Sequence, residues 1–145
     1  MKFILWLLIL LLHSSSLFAQ KTKKITKKDE NGIYKYEVLK DNQNIKNGSY
    51  IEYYLTKEKR LEGEYINNLR ENVWKKYDMD GRVISIEQFL NDKRNGKSRY
   101  FEYRYADRTK PPTEITEGEF KNDLQEGVWI FNEKIIKRQT NTSYH

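Results

Sequence analysis

The 145-residue chain contains no cysteine and two histidines, and each scarcity removes a class of chemistry. Without cysteine there is no disulfide framework, no thiolate metal site and no thiol nucleophile. His13 falls in a segment that reads as a cleaved leader, which leaves His145, the last residue, as the sole imidazole of the mature chain. A Ser-His-Asp or Cys-His system needs an oriented imidazole, and a zinc site usually draws on Cys or His. Paired carboxylates, which in principle hydrolyse a glycosidic bond, are the one catalytic option left. Acids that alternate with lysines on short strands, however, are the ordinary solvated face of a sheet. No Walker-type or Gly-x-Gly phosphate loop is present. The expectation is a chain without cofactor, metal or enzymatic activity.

A broad positive face is missing as well, despite a formal net charge of +6. Lys2, Lys21, Lys23, Lys24, Lys27 and Lys28 are six of the 27 basic residues, and no acid precedes Asp29. From Asp29 onward the remaining 21 basic residues balance 21 acidic ones, so nucleic acid is not an expected partner.

What the chain does have begins with an export signal. Met1 and Lys2 are followed by the apolar run Phe3 to Leu12 and a small, polar stretch from His13 to Ala19. Leu17 and Ala19 fit the positions before a signal-peptidase cut, so residues 1–19 read as a signal peptide and the mature chain as starting near Gln20. At ten to twelve apolar residues the run falls short of the ~20 that span a bilayer. Periplasmic or extracellular localisation is expected. Residues 20–32 read as a basic, flexible segment, 33–138 as the folded domain and 139–145 as a flexible tail.

The folded part repeats itself. Lys46 to Tyr50 aligns with Gly63-Glu-Tyr-Ile-Asn-Asn68 running to Asn72-Val-Trp74, with Glu87-Gln-Phe-Leu-Asn-Asp92 running to Gly96-Lys-Ser98, and with Gly118-Glu-Phe-Lys-Asn-Asp123 running to Gly127-Val-Trp129. Tyr50, Trp74, Ser98 and Trp129 are successive equivalents; the first two steps are equal and the last is longer. The extra length comes from a loop insertion, Ala106 to Thr113, with Pro111-Pro112. Asn67-Asn68, Asn91-Asp92 and Asn122-Asp123 are tight-turn pairs, because Asn and Asp tolerate positive φ. Gly96 and Gly127 then suit a bulge, with Asn72 as the residue best able to imitate glycine there. Asp80-Gly81 supplies a return turn before Val83 to Ile86. The spacing predicts an all-β meander of antiparallel hairpins in one elongated, twisted layer.

Aromatic alternation in Phe101, Tyr103 and Tyr105, and in Trp129 and Phe131, predicts a ladder of rings on one sheet face. Trp74 and Tyr77, three apart, are expected on opposite faces. Packing is the bland reading of every such ring; ligand contact is the functional one. The candidate binding residues are Trp74, Tyr77, Tyr100, Tyr103, Tyr105, Trp129 and Phe131.

Gly-Glu-Tyr/Phe-x-Asn-x-x-x-x-Gly-x-Trp at this spacing resembles the MORN repeat, in the variant found in bacterial YwqK-type antitoxin proteins. Gly63, Glu64, Tyr65, Asn67, Trp74, Tyr77 and Gly81 carry it, then Phe89, Asn91 and Gly96, then Gly118, Glu119, Phe120, Asn122, Gly127 and Trp129. The resemblance covers about residues 45 to 132 and implies an array of hairpins that works in protein association, with lipid association proposed for some members. Asn72 stands for a glycine, Ser98 for a tryptophan and Glu87 for the leading glycine, so the array is degenerate. A leader sequence does not suit neutralisation of a cytoplasmic toxin, so the name describes the repeat and not a role.

The favoured expectation is therefore an exported, non-enzymatic repeat protein that binds an envelope or extracellular protein. A second is glycan or cell-wall binding through Tyr100, Tyr103 and Tyr105 beside the Pro111-Pro112 loop. A third is attachment to anionic membrane surfaces through Lys21, Lys23, Lys24, Lys27 and Lys28; the bland reading of that cluster is a soluble, flexible N-terminus.

Overall fold

A computed structural model describes residues 20–104 and 109–133. Among them are nine strands and no helix: β1 (Thr22–Asp29), β2 (Gly32–Leu39), β3 (Lys46–Tyr53), β4 (Lys59–Ile66), β5 (Leu69–Tyr77), β6 (Val83–Leu90), β7 (Lys93–Glu102), β8 (Glu114–Lys121) and β9 (Leu124–Glu133). They form one open sheet in chain order, each strand antiparallel to the next. The expected all-β meander is what forms. Residues 1–19, read as a leader, and 139–145, read as a flexible tail, lie outside the described residues.

Local chemistry explains the hairpins. Asn67 and Asn68 (φ 51° and 68°), Asn91 and Asp92 (51° and 67°), and Asn122 and Asp123 (50° and 69°) pair positive values at both central positions. That is the type I′ turn, whose twist matches that of the flanking strands. Four positive-φ positions follow the repeat: Gly48 (115°), Asn72 (61°), Gly96 (109°) and Gly127 (67°). At all four the ladder changes register: around Gly48, Tyr36 pairs Tyr50 while Val38 pairs Lys46. Glu62 pairs Lys75 while Glu64 pairs Glu71, and the same jump separates Glu87 from Phe89 and Glu117 from Glu119. Asn72 thus takes the glycine's place, and its side chain bonds Glu64 at 2.7 Å. Gly81 (φ 80°) closes the predicted return turn, where Asp78 accepts the backbone N–H of both Asp80 and Arg82.

The N-terminal boundary is corrected. The segment read as flexible, 20–32, contains β1, which pairs with β2 over its whole length from Thr22↔Leu39 to Asp29↔Gly32. Lysine-rich composition hid this strand, because its order comes from its neighbour. Ile25 lies opposite Tyr36, and the Glu37 carboxylate accepts Thr22 Oγ1 at 2.7 Å and Ser49 Oγ at 2.9 Å, joining three strands. Among the described residues the edge of the sheet is therefore β1, and Tyr34 to Val38 lies one strand inside it.

Strand alternation gives the sheet two unlike sides. One, the ring face, carries Tyr36, Tyr50, Tyr65, Trp74 and Phe89 as a chain of contacts 5.0–6.3 Å between centroids. Tyr100, Phe120 and Trp129 continue it as a second group. The aromatic ladder is real but its membership differs from the reading by alternation. In β7 it is Tyr100, paired with Thr116, that joins the ring face, whereas Phe101 pairs with Ile115 on the other side. Trp74 and Tyr77 do fall on opposite faces: the Tyr77 hydroxyl bonds Glu62, the cross-strand partner of Lys75.

The glycines of the Gly-Glu-aromatic motif make this packing possible. A Cβ on Gly63 would stand 2.2 Å from Trp74 Cδ2, and one on Gly118 would stand 2.4 Å from Trp129 Cδ2. Each tryptophan lies flat on the facing strand's backbone. The third unit, with Ser98 for the tryptophan, carries Glu87 opposite it. The two departures are one event, because removal of the ring makes room for a side chain. Glu87 there accepts the Tyr100 hydroxyl at 2.7 Å, with Arg94 beside it at 3.9 Å. A polar cluster fills the place of a ring, and Ser98 stays 1% exposed beneath it.

Candidate interaction surface

The predicted binding aromatics do not converge. Trp74, 3% exposed, sits at the centre of the larger ring group and donates Nε1–H to Glu71 O at 3.1 Å. Trp129 packs between Tyr100 (6.3 Å) and Phe120 (5.1 Å). Tyr77 is held by Glu62 and lies under the Lys59 ammonium. Tyr103 donates to Val83 O at 3.0 Å and lies 4.7 Å from the Arg82 guanidinium. Phe131 alone of these is largely exposed, at 70%. Tyr105 lies outside the described residues. Burial pushes the Tyr50 and Tyr100 hydroxyls up to about 12 each, with the Glu87 carboxylate adding to the effect at Tyr100. Burial, then the Glu62 bond, raises Tyr77.

The lysines of the N-terminal segment are likewise divided. Lys23 pairs with Val38 and Lys27 with Tyr34, on the ring face, while Lys24 and Lys28 pair with Glu37 and Ile33 on the opposite face. Lys21 precedes the strand, and its carbonyl accepts Lys40 N–H at 3.0 Å. Strand alternation splits the charge between two sides.

A series that spacing alone did not reveal holds neighbouring hairpins together. Lys46 Nζ lies 4.9 Å from the Tyr65 centroid, Arg70 4.1 Å from Phe89 and Arg94 3.9 Å from Phe120. In each case a cation from one unit covers the aromatic of the next. The turns repeat the link: Asn68 Oδ1 accepts Lys46 N–H at 2.7 Å, Asp123 Oδ1 accepts Arg94 N–H at 2.9 Å, and Arg70 bonds Asp92. The equal steps from Lys46 to Arg70 and from Arg70 to Arg94, in phase with the repeat, were the available signal.

With the rings consumed on one side, the other side is the open one. Among the described residues ten large hydrophobics are exposed, and seven of them, Ile66, Leu69, Val73, Leu90, Leu124, Val128 and Ile130, fall on this open face. Between them run shallow pits at equivalent positions of the repeat. One is lined by Ser49, Ile51, Glu62, Val73 and Lys75; its counterpart is lined by Lys97, Arg99, Glu117, Val128 and Ile130. A third, over β1 to β3, uses Lys24, Lys35, Glu37 and Ile51. Each combines aliphatic carbon with opposite charges; Arg99 and Glu117 meet at 2.8 Å. Burial raises the Glu62 carboxyl, but the Lys59 and Tyr77 bonds outweigh it and the net shift is downward. Among the described residues no group of acids and histidines is arranged to hold a metal ion.

No family model, no curated protein and no solved structure matches this chain.

Proposed function

We propose that this is an exported, non-enzymatic repeat protein whose open face binds another protein of the cell envelope or the extracellular space. The observation that carries the reading is the one-sidedness of the sheet. Ring packing occupies one face, while the other keeps most of the exposed aliphatic side chains over a regular row of charged pits. Exposed aliphatic carbon interleaved with charged side chains suits a protein-binding face. The leader-like N-terminus supports the compartment, and the MORN-like repeat pattern agrees with an association role.

The test is site-specific photo-crosslinking in the exporting cell, with the probe at Val73 or Leu90 on the open face and, separately, at Tyr100 on the ring face. One discrete adduct from the open-face probes, absent from Tyr100, is expected. A protein that remains free of adducts at both open-face positions throughout the envelope and medium would overturn the proposal.

A further inference from the structure

The two edges of the sheet are built differently. β1 carries four exposed lysines in eight residues, Lys23, Lys24, Lys27 and Lys28, and charge of one sign guards an edge strand against self-pairing. β9 carries two acids, no basic residue and the exposed side chains of Leu124 (73%), Val128 (83%), Ile130 (46%) and Phe131 (70%). Among the described residues only β8 pairs with it. We propose that β9 pairs antiparallel with β9 of a second copy, about a two-fold axis at Trp129.

Such an axis, perpendicular to the sheet, keeps every residue on its own face, so the pairs follow by counting outward from Trp129. Val128 then falls opposite Ile130 of the second copy, twice, on the open face. Gly127 falls opposite Phe131. A Cβ on Gly127 would meet nothing within 4 Å, so there is open ground beside it for a ring, as Gly63 accommodates Trp74. Glu126 falls opposite position 132 and Gln125 opposite position 133. Trp129 leans inward onto Gly118 and leaves the axis clear. The same count on β1 about Ile25 sets Lys23 against Lys27 twice, a like-charge penalty. One edge therefore closes on itself and the other is guarded, which gives a closed dimer and not a filament.

The protein, purified as the cell makes it, is measured by sedimentation equilibrium over a range of concentrations. The expected result is twice the chain mass, a dissociation constant raised at least ten-fold by Ile130→Glu or Val128→Lys, and recovery of the dimer in the V128K/I130E double variant, which sets opposite charges against each other twice. Val128 is exposed enough that its variant keeps the fold, checked by an unchanged melt of the monomer. A monomer at all concentrations, as when residues 134–145 or another protein covers β9, would overturn the proposal. So would a dimer indifferent to both single variants, or open assemblies that dissolve with salt and so use the lysines of β1.

Discussion

Replacement of Gly63 by alanine isolates the contact on which the ring face depends. The added methyl would stand 2.2 Å from Trp74 Cδ2, and neither strand can withdraw without breaking the ladder between β4 and β5. Overpacking of this kind costs about 1–3 kcal/mol. Trp74→Ser in the otherwise unchanged chain should cost about 3–5 kcal/mol, consistent with ~150–250 Å² of ring at ~25 cal/mol per Å². At roughly 4 °C per kcal/mol for a domain of this size, the tryptophan variant should melt about 12–20 °C lower. Once the ring is gone the methyl has nothing to strike, so Gly63→Ala should be nearly neutral in the Trp74→Ser background. Urea denaturation of all four proteins gives a coupling of about 1–3 kcal/mol if the reasoning holds. The Glu87 and Ser98 pair of the third unit is this double replacement already present in the chain. Equal costs of Gly63→Ala in both backgrounds, within ~0.5 kcal/mol, would refute the ring-on-glycine account.

Other outcomes follow from the same geometry. The backbone of Asn72 is left-handed, with φ 61°. Asn72→Ala should therefore lose about 1–2 kcal/mol, because alanine lacks the amide whose local hydrogen bonding lets asparagine hold that conformation and which here bonds Glu64. Asn72→Gly should stay within about 0.5 kcal/mol of the parent in urea titration. The Arg94 guanidinium lies 3.9 Å from the Phe120 ring. Its removal in Arg94→Met should cost about 0.5–2 kcal/mol, read by the same titration. Acid should destabilise the sheet. The bonds from Thr22 and Ser49 hold the Glu37 carboxyl below its ordinary range, and at Asp78 burial is outweighed by its bonds to Arg82. Folded values below unfolded ones contribute stability that is complete above about pH 4 and disappears as pH falls through the folded values. The urea midpoint should be flat from about pH 7 to 5 and fall below about pH 4; a rise on acidification would contradict these assignments.

The regular parts of the fold were legible because each rests on local chemistry. The Asn-Asn and Asn-Asp turns, the bulges at Asn72, Gly96 and Gly127, and the return turn at Asp80-Gly81 before Val83 all follow from φ preference and repeat spacing. β1 was not legible, since four lysines and one isoleucine do not announce a strand whose order is supplied by Tyr36 and Glu37. Alternation misplaced the β7 rings because it took Phe101 as the start, when the pairing of Ser98 with Gly118 fixes even-numbered residues on the ring face. The candidate surface was the least legible. Sequence reasoning followed the aromatics, which carry the largest apolar area and are therefore the first to be buried, while the exposed face is built of ordinary aliphatic and charged residues.

The central claim is that rings of one face hold neighbour to neighbour in two groups separated at Ser98. Hydrogen exchange resolved strand by strand in the Trp74→Ser variant tests it most directly. The account predicts a large loss of protection in β3 to β6 while β7 to β9 keep theirs, as expected when stability is a sum of neighbour contacts. Equal loss across all nine strands, or none in β3 to β6, would contradict it.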